Sequence, residues 1–161
     1  MIGIVSDTHG NADNAAEALD LLRRRDIETV IHCGDIGGAA VVSLFAGFDA
    51  WFVLGNVDRD YQLLADAVRN VCGPGRLAMT HRLEIGGKRI AVCHGHTEEF
   101  GRLWEAGDID YLLYGHTHRR RNERLGEVRV INPGALGGLW RQSRSFAILD
   151  EQNDELQVVE L

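Results

Sequence analysis

"IGIVSDTHG", residues 2–10, is the stretch whose reading decides the fold. "IGIVS" is a short run rich in β-branched residues that stops at Asp7. "NADNAAEALDLLRRR" follows at once, with Ala15, Ala18, Leu19 and Leu22 at helical spacing, Asn11 as a cap, acids in the first turn and arginines in the last. A strand feeding directly into a helix opens a βαβ unit. The chain repeats the device: "TVIHCGD" reads as a strand, "AAVVSLFAG" as a short helix and "AWFVLGN" as a third strand. Strands alternating with helices over the first 56 residues predict a parallel sheet.

The second half has another texture. "RLEIGGKRIAVCHG" reads as a hairpin turning at Gly86-Gly87. A helix around "EEFGRLWEAG" leads into the strand "YLLYG", and "RNERLGEVRVINPG" and "SFAILDEQNDELQVVEL" read as hairpins turning at Gly126 and near Asn153-Asp154. The expectation is parallel α/β first and antiparallel β-rich later, in one domain spanning residues 1–161 with two sheets.

Composition is that of an ordinary globular protein, 45% hydrophobic and 25% charged. There is no apolar run of membrane-spanning length, and no basic leader precedes "MIGIVSDTHG", so a cytoplasmic location without a membrane partner is expected. The net charge of −7 argues against general adhesion to nucleic acid. Three cysteines without CxxC spacing argue against a disulfide framework or a zinc ribbon, and Cys33 and Cys93 read as small buried hydrophobes.

Each strand run ends in polar residues. Asp7 and His9 follow the first, Gly34-Asp35 the second, Gly55-Asn56 and Asp58 the third, while His94 and His96 follow "AVC" and His116 and His118 follow "YLLYG". Ligands of open α/β sheets bind beyond the carboxyl ends of the strands, so these clusters are expected to converge. Two histidines one residue apart, as in "GHTH", would point to one side of an extended chain and share one small volume. Asp, His and Asn are donors for first-row divalent metals such as Mn, Fe, Zn, Co or Ni. Seven such residues exceed one tetrahedral site and suit two metals sharing a bridging carboxylate. The expected cofactor is two divalent ions per chain, manganese being the first choice. Glycine before Asp35, Asn56 and His116 lets backbone and ligand approach without a Cβ clash.

At these residues the sequence resembles the calcineurin-like metallophosphoesterases, in particular their short, stand-alone prokaryotic phosphodiesterases. The family's DxH, GD, GN, single histidine and GHxH elements stand here as Asp7-Thr8-His9, Gly34-Asp35, Gly55-Asn56, His94 and Gly115-His116-Thr117-His118, in the family's order. "NPGA" at 132–135 is similar to a later element of the subgroup. The resemblance implies an α/β/β/α four-layer sandwich of two mixed sheets flanked by helices. It assigns Asp7, His9 and His118 to one metal, Asn56, His94 and His116 to the other, and Asp35 to both. It also implies a small phosphodiester substrate and a metal-bridging hydroxide attacking phosphorus in line. One departure stands out: where many phosphatases of the family have GNH(D/E), this chain has "GNVD", and Val57 cannot act as a general acid.

His96 is the expected compensator, a phosphate contact or proton donor, with Asn56 beside it stabilising phosphoryl charge. Arg141, in "GGLWRQSR", is the expected substrate contact, with Trp140 beside it for stacking or core. His32 reads as a core histidine and His81 as a surface one. Asp58 reads as a cap for the helix "RDYQLLADAVRN", the alternative being orientation of a ligand histidine. The rival functions are a protein-binding scaffold of the same fold, resembling a eukaryotic retromer subunit, and a monoesterase or nucleotide phosphatase. All seven ligand positions carrying competent residues argues against the first, and Val57 with no long cap insertion against the second. A homo-oligomer is compatible with this reading.

Overall fold

Alternation within the first strand sets how the layers stack. In the computed structural model, which describes residues 1–138 and 144–161, Ile2 and Ile4 of β1 (Ile2–Val5) face one core and Val5 faces another. The chain continues through α1 (Ala12–Arg23), β2 (Thr29–His32), α2 (Ala39–Ser43), β3 (Asp49–Val53), α3 (Tyr61–Cys72) and β4 (Leu77–Ala78). Then come β5 (Thr80–Ile85), β6 (Lys88–Cys93), α4 (Glu99–Glu105), β7 (Tyr111–Leu113), β8 (Arg121–Leu125), β9 (Val128–Asn132), β10 (Ser145–Asp150) and β11 (Glu155–Glu160).

The strands form a six-stranded sheet in the order β11-β10-β1-β2-β3-β4 and a five-stranded sheet in the order β5-β6-β7-β9-β8. Three hydrophobic clusters separate four layers. Leu19 and Leu22 of α1, Val42 of α2, Phe45 just after α2 and Val68 of α3 pack on Val30, Phe52 and Phe146 of the first sheet. Ile4, Ile31 and Val53 meet Ile90, Val92 and Leu113 between the sheets. Leu103 of α4 covers Ala91, Leu112 and Val130 on the outer face of the second sheet. This is the expected sandwich of two mixed sheets flanked by helices.

Two expectations about the elements change. The second half is not simply antiparallel, because β6, β7 and β9 run parallel at the centre of their sheet, flanked by antiparallel β5 and β8. Turn residues reveal a hairpin, whereas the crossover through α4 leaves no local mark of which strand it returns beside. The last hairpin, β10–β11, joins the first sheet next to β1. Asp60 rather than Asp58 caps α3, accepting from the Leu63 amide at 3.1 Å. Among the described residues no helix is long and apolar enough to cross a membrane.

Candidate metal centre

β1, β2, β3, β6 and β7 end on one edge of the sandwich, and the residue runs that follow them meet there. The loops are laced together through their backbones. The Asp7 amide donates to Gly34 O at 2.9 Å, that of His9 to Asp35 O at 2.9 Å, and that of Gly115 to His94 O at 3.1 Å. Space is tight enough to require glycine: a Cβ would lie 2.6 Å from His94 Nδ1 at Gly34, 2.1 Å from Asp35 Oδ1 at Gly55, and 2.6 Å from Asp7 Oδ2 at Gly115. Asp7, His9, Asp35, His116 and His118 all hold positive φ, between 47° and 64°, where non-glycine residues are strained.

Two donor groups result. In the first, His9 Nε2 and His118 Nε2 are 3.0 Å apart, and His118 Nε2 is 3.2 Å from Asp7 Oδ1. In the second, Asn56 Oδ1 lies 3.1 Å from His94 Nε2 and 3.0 Å from His116 Nδ1. Asp35 stands between them, with Oδ2 3.7 Å from His9 Nε2 and Oδ1 3.4 Å from His94 Nε2.

The pairing of His116 and His118 differs from the expectation for an extended chain. β7 ends at Leu113, and both histidines are in left-handed bends, which send His116 to the Asn56 group and His118 to the Asp7 group. His96 likewise reaches the site through a bend at Gly95 (φ 98°), not along a strand, and its ring centroid is 5.2 Å from that of His94 and 6.1 Å from that of His116. His96 Nδ1 is buried and has no hydrogen-bond partner among the described residues. Arg141 and Trp140 fall outside the described residues.

A supporting layer fixes the donors. His94 Nδ1 donates to Cys33 O at 2.7 Å, which turns Nε2 toward Asn56 and Asp35. The Ser6 hydroxyl donates to Asp7 Oδ2 at 2.5 Å. Asp58 accepts from the amides of Ile36, Gly37 and Gly55 at 3.2, 3.0 and 2.8 Å, and so clamps the Asp35 loop to the Asn56 loop. Asn132 of the NPG element donates from Nδ2 to Gly115 O at 2.6 Å and braces the GHTH loop. His32 is buried beneath the site, with Nδ1 accepting from the Gly34 amide at 3.2 Å and Nε2 2.9 Å from the Thr8 hydroxyl.

Sequence reasoning placed Asp58 on the wrong partner and gave no role to Ser6 or Asn132, because side chain-to-backbone bonds between distant loops leave no periodic signal. The "GNVD" spacing was the available hint for Asp58, which folds back on Gly55 three residues earlier. His81 is a correction of another kind. It is 9% exposed rather than on the surface, lies edge-on to Trp51 and bonds Phe52 O at 3.0 Å, because β5 turns it toward β3 across the sheet edge.

Electrostatics separates the two carboxyls. Burial pushes Asp7 above the usual carboxylate range, against the pull of the Ser6 hydroxyl and of the His94 and His118 rings. Burial acts on Asp35 in the same direction, but the His94 ring, the Val57 amide and the His9 ring outweigh it and hold the group at about 2. Burial lowers His96, helped by the neighbouring His94 and His116 rings, and lowers His32 to about 4.

Over residues 1–154 the chain matches the calcineurin-like phosphoesterase superfamily domain. The chain belongs to the calcineurin-like phosphoesterase superfamily. Phosphodiesterase MJ0936 of Methanocaldococcus jannaschii is 31% identical over 99% of this chain and 98% of its own. The probable metallophosphoesterase YsnB of Bacillus subtilis is 28% identical over 96% of this chain and 86% of its own. The solved structure of an archaeal phosphodiesterase superposes with a TM-score of 0.89 at 31% identity, covering 99% of both chains. Vps29 of Entamoeba histolytica, solved with zinc, shares the fold at a TM-score of 0.68 and 20% identity, over 99% of this chain and 97% of its own.

The donor set of this superfamily member fits a metal. Ligand atoms of Asp7, His9, Asp35 and His118 all lie within 4.8 Å of one another. Donors on opposite sides of a first-row ion stand about 4 Å apart, twice the usual bond length. A cation would also offset the burial that disfavours the charged form of Asp7, and the facing Nε2 atoms of His9 and His118 are competent ligands for it.

Proposed function

We propose that the chain is a dinuclear-metal-dependent phosphodiesterase that cleaves small phosphodiesters by in-line attack of water on phosphorus. One observation carries this reading: the two oxygens of Asp35 face two different donor groups, one at His9 and one at His94. Asp7, His9 and His118 would hold one ion, Asn56, His94 and His116 the other, and Asp35 both. Such ions, with manganese the first choice, act as Lewis acids that lower the pKa of bound water and neutralise phosphoryl charge.

The remaining roles belong to the chain. Asn56 keeps the second donor group in register through its bonds to both His94 and His116. His96, whose ring centroid is 5.2 Å from that of His94 and 6.1 Å from that of His116, is proposed to donate a hydrogen bond to a phosphoryl oxygen. Arg141 is proposed as a further substrate contact. Val57 offers only its amide to the site, donated to Asp35 Oδ1 at 3.0 Å, so no proton donor stands there for a poor leaving group. That favours diesters of good leaving groups over alkyl monoesters. Free Cys33, Cys72 and Cys93 suit a reducing, cytoplasmic compartment.

The test is hydrolysis of bis(p-nitrophenyl) phosphate against p-nitrophenyl phosphate by stripped protein, by protein reloaded with each divalent metal, and by Asp35→Asn. Metal-dependent cleavage that favours the diester and falls at least about a thousandfold in the variant is expected. A folded, metal-loaded protein that cleaves neither ester overturns the reading and points to the scaffold function.

A further inference from the structure

Beside the metal centre is a groove of about 210 Å³ whose lining includes Gly37, Gly38, Val57, Leu63 and Leu64. Its walls are continuous with the ligand loops. Val57 follows Asn56 and holds Asp35 Oδ1 through its amide, while Gly37 packs so closely on the His9 loop that a Cβ there would lie 2.2 Å from Gly10 N. The acids that also line the groove are committed elsewhere: Asp58 accepts three backbone amides and Asp60 caps α3. Apart from Arg59, the lining left uncommitted is therefore apolar. Val57 is 39% and Leu63 53% exposed, beside a site otherwise built of carboxylates and imidazoles. Arg59 completes the lining with a planar guanidinium, a group that stacks on flat rings.

Bare aliphatic side chains next to a phosphoryl-binding centre cost solvation unless something apolar covers them. Neither a phosphate group nor a short polar arm can do so. A ring attached through an ester oxygen can, because the phosphorus anchors it within reach of this groove. We propose that the Val57–Leu63 groove receives the flat apolar ring of a phosphodiester's ester arm, which makes Val57 and Leu63 specificity-determining residues. This rests on the phosphodiesterase reading above and names the class of substrate, a ring-bearing diester, aryl or nucleobase-like.

Binding of methylphosphonate and phenylphosphonate to the manganese-loaded protein, measured by calorimetry, tests the proposal without turnover. Phenylphosphonate is expected to bind about tenfold more tightly, as burial of one ring face implies. Leu63→Ser, at an exposed position, should cut that ratio about threefold or more and leave methylphosphonate unchanged. Methyl resonances of Val57, Leu63 and Leu64 should shift with the phenyl ligand and not with the methyl one. Equal binding of the two ligands, or a ratio indifferent to Leu63→Ser, overturns the groove assignment while the phosphodiesterase reading stands. If the metal-loaded protein binds neither phosphonate, the phosphodiesterase reading itself fails, and the groove proposal with it.

Discussion

At the hairpin end of the sandwich the turns at Gly86, Gly87 and Gly126 reach positive φ of 59°, 75° and 64° with glycine. At the opposite end Asp7, His9, Asp35, His116 and His118 occupy the same region with side chains attached. Glycine enters it freely, whereas each other residue there costs of order 1–3 kcal/mol. At the hairpin end two non-glycine residues, Asp26 and Asp154, also hold this region, and Asp154 shows what a side chain adds there. At φ 57° it accepts from the Tyr111 hydroxyl at 2.9 Å and from Arg129 at 2.7 Å, tying the β10–β11 turn to the other sheet. Asp154 and the residues at the metal end alike stand where the side chain does something that glycine cannot.

The sharpest way to break the contrast is to disturb space rather than φ at the metal end. Gly55→Ala puts a methyl 2.1 Å from Asp35 Oδ1 and should lower kcat/KM for bis(p-nitrophenyl) phosphate at least about a hundredfold, with weaker manganese binding by calorimetry. Next in size is a pH effect. His32 titrates at about 4 in the fold against 6.5 unfolded, so the unfolded chain takes up the proton first. Stability of the metal-free protein should therefore be lost as pH falls from 6.5 towards 4, by up to about 3 kcal/mol, and then level off. His32→Gln should flatten that component in urea denaturation across the window.

Asp58→Asn should cost about 2 kcal/mol, because an amide offers one acceptor oxygen to three backbone donors. The same variant should lower metal affinity about tenfold. Removing strain instead of support should reverse the sign: His116→Gly is expected to raise the stability of metal-free protein by up to about 1 kcal/mol while destroying activity. At the hairpin end Gly126→Ala, with no described residue within 4 Å of the new methyl, should cost about 1 kcal/mol through its φ alone and leave kcat/KM unchanged.

Legibility followed the range of the signal. The βαβ opening, Asn11 as cap of α1 and the turns at Gly86-Gly87 and Gly126 depend on neighbours in the chain and were readable. So was the gathering of polar residues at one edge, since Asp7, His9, Asp35, Asn56, His94, His116 and His118 each stand just past an apolar run and the structure brings their side chains together. What was misread depends on distant partners: Asp58 on Ile36 and Gly37, His81 on Phe52, and the parallel placement of β7 between β6 and β9.

Strand runs, their polar ends and the chemistry of those ends follow from residue type and spacing, because side-chain period and donor character are local properties. Which of these polar side chains come together is decided only in three dimensions. His116 and His118 are one residue apart, yet left-handed backbone turns them to different groups, and Asp35 faces both only because β2 lies beside β1. Backbone conformation at a single residue is too weakly encoded in its identity to settle such pairings. They are fixed by the hydrogen bonds and close contacts that the packed loops impose on one another.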